Sequence, residues 1–177
     1  MPRIQPLELD AMDPACRAAL DAGLANGMYT MTLPMQIMAH SPSAFQDMDE
    51  GYKALFRRGV LAPRIQELIR LRSAQLNACE PCSLSRKDGS VAGVCAVDGD
   101  DPALTLAERR ALKFFDLLAL DHHAIDEETY RELGEVFSVA EILELGVFSA
   151  QAIGMHRLMH SFDILGSGAP VLGRGAG

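Results

Sequence analysis

The residues of this chain with the clearest chemistry are the cysteines of Cys79-Glu80-Pro81-Cys82. Cysteines at this spacing can close a small disulfide ring when they occupy the first turn of a helix. Proline lacks a backbone N–H and has a fixed φ, so Pro81 predicts a helix that begins at about Cys79 or Glu80. Unpaired N–H groups and the helix dipole at that terminus favour a thiolate, and the pair can then pass two electrons by thiol–disulfide exchange.

A carboxylate on the preceding segment can serve the same pair only if the chain reverses. Glu67 lies 12 residues before Cys79, which is about 18 Å along a continuous helix and too far for contact. If the chain turns back near residues 77–79, the two helices become antiparallel neighbours, and the turn around Glu67 lies beside residues 86–88. A reversal just before the cysteines would therefore bring the carboxylate to the site.

The elements that must position these residues are helices. Prolines and capping residues mark helix starts, and no stretch shows the alternating β-branched pattern of a strand. The helix that starts at Pro42 is predicted to run to about Arg58, and the last helix is predicted to end near Gly166. The sequence predicts an all-α fold of about six to eight helices, with starts at Asp13-Pro14, Ser41-Pro42, Ala62-Pro63, Thr105 and Ser138.

Length, composition and charge limit the class of protein. A chain of 177 residues is about one domain long, and we expect a single domain over residues 1–166 with a flexible glycine-rich tail over 167–177. The net charge of −8 argues against a nucleic-acid partner and against an anionic membrane surface. No apolar leader or membrane-length apolar stretch is visible, so we expect a cytoplasmic protein whose four cysteines are redox-active, metal-binding or buried.

The segment from Glu67 to Cys82, ELIRLRSAQLNACEPC, resembles the signature of the carboxymuconolactone decarboxylase and alkylhydroperoxidase D (AhpD-like) superfamily. That family places a Glu, then Leu-Arg and Ala, then Asn-x-Cys-x-x-Cys at this spacing. Softer similarity lies in residues 39–42 (AHSP), 121–126 (DHHAID) and 153–157 (IGMHR). The resemblance therefore covers roughly residues 34–165 and is specific at the Glu and cysteine core.

The resemblance implies an all-helical fold that assembles as a homo-oligomer, a trimer or hexamer, and a thiol peroxidase or disulfide oxidoreductase activity. It implies that Cys82 attacks a hydroperoxide, that Cys79 resolves the product as a disulfide, and that Glu67 relays a proton together with a histidine. The implied partners are a hydroperoxide substrate and a dithiol reductant, and no bound cofactor is required.

One position departs from the family pattern. The relay histidine of the family stands four residues after the second cysteine, where this chain has Arg86. Arginine stays protonated near neutral pH and cannot act as a base, but its charge can stabilise a thiolate. We expect Arg86 to pair with Glu67 and to keep the cysteine region electropositive.

Other interpretations stay open on the sequence. A decarboxylase-type lyase of the same superfamily is one, although those enzymes do not rely on a Cys-x-x-Cys pair. A non-catalytic oligomeric binding protein is another, because the relay histidine is missing. A metal site could use Cys95 as a third ligand, but the usual second ligand pair is absent from the sequence. His156 and His160 share a helix face without the Glu of a zinc-protease motif, so we expect no metal there and structural or subunit-interface roles.

Overall fold

The structure is a computed structural model, and it describes residues 2–79, 82–83, 91 and 101–164. Over these residues the chain is all-helical, which confirms the predicted class. No single described helix is long and apolar enough to cross a membrane, and α6 and α7 pass that test only when counted together as a bent pair. The described α-helices are α1 (Pro14–Ala25), α2 (Leu33–Met38), α3 (Pro42–Arg58), α4 (Pro63–Leu76), α5 (Leu106–Leu120), α6 (Glu127–Gly134) and α7 (Val139–Ser161).

The predicted helix starts are confirmed by capping contacts. The carboxylate of Asp13 accepts hydrogen bonds from two N–H groups in the first turn of α1. Thr105 and Glu108 form a reciprocal capping box at the start of α5, and Ser138 and Glu141 exchange the same bonds at the start of α7. These contacts satisfy N–H groups that the helices themselves leave unpaired, which explains why the starts could be located from local sequence.

The helix ends agree less well with the sequence. α3 spans the predicted range, but α7 ends at Ser161, before the predicted end near Gly166. The backbone after Ser161 turns, and Asp163 adopts a positive φ of 57° there. The short helices α2 and α6 were not predicted as separate elements.

The described residues divide into two compact units. Residues 2–53 and 157–164 form one unit, and the described part of residues 54–156 forms the other. The single domain over 1–166 stays a prediction, and the glycine-rich tail over 167–177 lies outside the described residues. The core of the first unit is built by buried side chains of α1, α2 and α3, among them Cys16, Leu20, Met35 and Phe45.

The second unit contains α4 as its inner helix. Of the 14 residues of α4, nine are buried, so even its polar side chains must find partners inside the protein. The helix packs against α5, and Arg72 forms a two-pronged ion pair with Asp116 of α5 at 2.8 Å for each bond. The apolar core around it includes Leu68, Ile69, Leu112, Phe115 and Leu145.

The connection between α3 and α4 is held by a carboxylate from α7. One oxygen of Glu144 accepts hydrogen bonds from the N–H groups of Val60 at 2.7 Å and Leu61 at 2.8 Å. A Cβ at Gly59 would lie 2.5 Å from the same oxygen, so the close approach requires glycine or a displaced carboxylate. Glu144 therefore fixes the entry into α4, the helix that carries the candidate site.

We expect Glu144→Ala to lower the free energy of unfolding by about 1–3 kcal/mol, because two N–H groups lose a charged acceptor. Denaturant unfolding monitored by circular dichroism measures the change. Glu50→Ala is the matched control, since Glu50 is exposed on α3, and it should change stability by no more than about 0.5 kcal/mol. Equal effects of the two substitutions would show that the Glu144 contacts contribute nothing specific.

Candidate redox site

One face of α4 carries three buried polar side chains. Glu67, Arg70 and Ser73 are spaced three residues apart, which places them on one side of the helix. Their exposed fractions are 1%, 5% and 0%. Two of the three are charged, and a buried charge is tolerated only when it is paired and hydrogen-bonded.

Arg70 supplies that pairing and extends it to the cysteines. Its Nε and Nη2 each donate to one oxygen of Glu67 at 2.8 Å, which makes a two-pronged ion pair. Its Nη1 donates to the backbone carbonyl of Cys82 at 2.8 Å. Arg70 is not among the residues that the sequence predicts for the site, although its spacing of three from Glu67 is the spacing of an ion pair within one helix. The predicted partner Arg86 lies outside the described residues, so its pairing with Glu67 stays a prediction.

The chain reverses immediately after α4. The N–H of Cys79 donates to the carbonyl of Ala74 at 2.9 Å, and the N–H of Ala78 donates to that of Gln75 at 3.0 Å. Together with a φ of 50° at Ala78, these two bonds make a Schellman motif. Asn77 adds a side-chain bond to the carbonyl of Ser73 at 2.8 Å. The reversal brings Cys82 back alongside Arg70.

The two cysteines of the motif form a disulfide. Their Cα atoms are 5.3 Å apart, and the N–H of Ser83 donates to the carbonyl of Cys79 at 2.9 Å. Cys82 and Ser83 have helical backbone, in agreement with the predicted helix, while Glu80 and Pro81 lie outside the described residues. Cys79 is only 3% exposed and Cys82 is partly buried, so Cys82 is the more exposed residue of the pair.

A histidine from α7 joins the same face of α4. Nδ1 of His156 lies 2.7 Å from Oγ of Ser73, and the Ser73 hydroxyl donates its one proton to the carbonyl of Ala152 at 3.1 Å. The Ser73 hydroxyl of α4 therefore lies between the imidazole ring and the Ala152 carbonyl, both of α7. Burial, and secondly the positive charge of Arg70, lower the pKa of His156 to about 4, so the ring is neutral at pH 7.

Other residues singled out in the sequence have separate contacts. Nε2 of His40 lies 2.9 Å from the carbonyl of Gln5. After α5, the rings of His122 and His123 are tilted by 38° to each other, with centroids 4.0 Å apart. Cys16 is a buried free thiol. Among the residues that the structure describes, no three His, Cys, Asp or Glu side chains are grouped to hold a metal ion. The candidate third ligand, Cys95, lies outside them.

No protein-family model matches the sequence, and no curated protein matches it. Solved structures do match its fold. One is an uncharacterized peroxidase-related protein from Ralstonia eutropha JMP134, described as an alkylhydroperoxidase AhpD core, with a TM-score of 0.77 and 19% identity over 92% of this chain and 90% of that one. The fold is AhpD-like. A peroxidase-related protein from Silicibacter sp. TM1040 matches with a TM-score of 0.75 and 14% identity over 92% and 90% of the two chains. The debrominase Bmp8 matches with a TM-score of 0.75 and 16% identity over 96% and 91%.

The reversal that builds this site in the AhpD-like fold carries backbone strain at Ala78. We expect Ala78→Gly to raise the free energy of unfolding by about 1 kcal/mol, because glycine adopts a positive φ without the steric cost that alanine meets. The control is Ala22→Gly on the exposed face of α1, which should lower stability by about 0.5–1 kcal/mol. Chemical denaturation of both variants measures the two values. A destabilising effect at both positions would contradict the assigned conformation.

The lowered pKa of the partly buried His156 imidazole leads to a further prediction. The pKa of His156 is about 4 in the folded protein and about 6.5 in an unfolded chain, so the unfolded state binds more protons between these values. Stability from this residue is therefore complete above about pH 6.5 and is lost as the pH falls toward 4, at up to about 1.4 kcal/mol per pH unit.

Denaturant unfolding of the disulfide form between about pH 7 and pH 4.5 measures this loss. His156→Gln should remove that component of the slope, whereas His160→Gln, at an exposed position one turn further along α7, should retain it. Parallel pH profiles for the parent protein and the His156 variant would overturn the assignment.

Proposed function

We propose that this protein is a thiol–disulfide oxidoreductase that reduces alkyl hydroperoxides with the Cys79 and Cys82 pair. The observation that carries the proposal is the Cys79–Cys82 disulfide linked through Arg70 to a buried carboxylate, Glu67. The fold gives further support, because two matching structures are named peroxidase-related proteins. A debrominase shares the fold, so the reaction is argued from the site.

In the proposed reaction, the Cys82 thiolate attacks the terminal oxygen of the hydroperoxide. The O–O bond breaks, an alcohol leaves, and Cys82 becomes a sulfenic acid. The Cys79 thiol then attacks that sulfur, releases water and closes the disulfide, and an external dithiol reduces the disulfide again. The partial exposure of Cys82 and the burial of Cys79 support this division of roles, because the peroxide must reach the first sulfur.

Two cations belong to the proposed site. Arg70 lies at the Cys82 backbone, and a positive charge close to a thiolate lowers the pKa of the thiol. Arg86 follows Cys82 by four residues in the sequence, and we propose that it adds to the same positive field. Glu67 binds Arg70 through both oxygens and so fixes the direction of its third nitrogen.

The proposal also covers assembly and location. We propose a cytoplasmic homo-oligomer, a trimer or hexamer, that takes a hydroperoxide and a dithiol reductant and needs no bound cofactor. Support for assembly comes from α7, where Val139, Leu143 and Val147 are 76%, 66% and 53% exposed. These residues are spaced four apart and form one apolar stripe along the helix, which a second copy of the chain would cover.

The test is the thiol count and mass of the reduced protein before and after one equivalent of a small alkyl hydroperoxide. We expect two of the four thiols to disappear with the loss of two hydrogen masses. Peptide mapping should locate the new bond between Cys79 and Cys82, and a small dithiol should reverse it. Cys82→Ser should abolish the reaction, whereas Cys79→Ser should stop at a sulfenic acid on Cys82.

Cys16→Ser is the control, because this thiol is buried in the other unit and should leave the rate unchanged. Retention of all four thiols in the parent protein would refute the proposed activity. The lyase and the non-catalytic binding protein would then be the surviving interpretations.

A further inference from the structure

The resemblance implies a proton relay through Glu67, but the contacts of this side chain favour a different role. A relay carboxylate takes a proton from one group and passes it to another, so its oxygens must be accessible to both. In this chain Arg70 binds both oxygens of Glu67 at 2.8 Å, and Glu67 is only 1% exposed. The histidine that shares the relay in the family is replaced by Arg86, which cannot accept a proton.

A relay through Glu67 would disrupt this ion pair. A protonated carboxyl group is neutral, so the pair would lose the attraction between its two charges. Arg70 is itself only 5% exposed, and a buried charge that loses its partner is strongly destabilising. Proton transfer through Glu67 would therefore have to break a contact that the burial of both side chains requires.

Arg70 connects Glu67 to the cysteines. Nε and Nη2 of its guanidinium are bound to Glu67, and these two bonds fix the plane of the group. In that plane, Nη1 donates to the Cys82 carbonyl at 2.8 Å. A cysteine sulfur lies within about 6 Å of the carbonyl oxygen of its own residue, because few bonds separate the two atoms. The contact with Glu67 therefore holds a positive charge near the Cys82 sulfur.

We propose that Glu67 is a positioning residue in this chain and not a proton relay. It acts through Arg70, whose guanidinium it holds against the Cys82 backbone, and it thereby favours the thiolate form of Cys82. This role rests on the proposed function. It replaces a relay between two side chains with a fixed positive charge.

The proposed reaction balances without a protein base. The Cys82 thiol releases its proton to water, which can reach this partly exposed residue. The thiolate attacks the hydroperoxide, the O–O bond breaks, and the departing alkoxide takes a proton from water. The Cys79 thiol then attacks the sulfenic acid, and its proton leaves with the hydroxyl group as water. An external dithiol returns two electrons and two protons when it reduces the disulfide.

The experiment is the pH dependence of Cys82 alkylation by iodoacetamide in the reduced protein, with the modified residue identified by peptide mapping. The rate follows the thiolate fraction, and iodide leaves without a proton, so a proton relay would not affect it. In Glu67→Gln, the amide N–H groups oppose the N–H groups of the guanidinium, and the two-pronged pair is lost. We expect the thiol pKa of Cys82 to rise by about one unit in this variant.

Arg70→Lys is a second variant, and it keeps both charges of the pair. A lysine ammonium can pair with Glu67, but it lacks the planar fork that holds the carboxylate and the Cys82 carbonyl together. We therefore expect the thiol pKa of Cys82 to rise in this variant as well.

Asp116→Asn is the matched control. It breaks another two-pronged ion pair of α4, in which Arg72 binds Asp116 of α5 at 2.8 Å for each bond. A loss of stability alone would affect this variant in the same way, but the thiol pKa of Cys82 should not change.

A thiol pKa of Cys82 that is the same in the parent protein, Glu67→Gln and Arg70→Lys overturns the inference. A lower pKa in Glu67→Gln also overturns it, because Glu67 would then act on the thiolate directly as a negative charge.

The test is separable from that of the proposed function, because alkylation requires no peroxide. Slow peroxide oxidation of Glu67→Gln with an unchanged alkylation profile would assign the relay to Glu67 and reject the inference alone. A raised thiol pKa in both variants, without any reaction of the parent protein toward peroxide, would support the positioning role and reject the peroxidase.

Discussion

The buried ion pair between Glu67 and Arg70 is the interaction on which the candidate site depends. Two charges on an inner helix are tolerated because each is satisfied by the other through two bonds of 2.8 Å. The third guanidinium nitrogen, Nη1, takes no part in these two bonds and donates a hydrogen bond to the Cys82 carbonyl. The same guanidinium therefore pairs with a buried charge of α4 and contacts the cysteine turn.

The sequence predicts those features of the fold that have local causes. Asp13, Thr105 and Ser138 cap helices through contacts within one turn, so their positions can be recognised without knowing the fold. The helix α2 has only six residues, Leu33–Met38, which is too short to show a clear 3.6-residue period. It is positioned by packing, and packing is not visible in the sequence.

The candidate site also contains some residues that local sequence patterns predict and others that only the fold brings together. Its Glu67 and cysteine pair are recognisable by spacing, and the disulfide joins residues only three positions apart. The contact between Ser73 and His156 joins residues 83 positions apart, so no local sequence pattern predicts it. Arg70 is an intermediate case, because its spacing from Glu67 suggests an ion pair on any helix surface. In the folded protein α4 is mostly buried, and the Arg70 of that pair also donates a hydrogen bond to the Cys82 carbonyl.

The short span of the disulfide has a consequence for the stability of the protein during a redox cycle. A cross-link restricts the unfolded chain according to the length of the loop it closes, and residues three positions apart enclose a loop worth only about 2 kcal/mol of chain entropy. The apolar core of the second unit, with Leu112 and Phe115 fully buried, does not depend on that bond. In the redox reaction that we propose, the chain therefore loses and regains this cross-link with a change of only about 2 kcal/mol in its conformational stability.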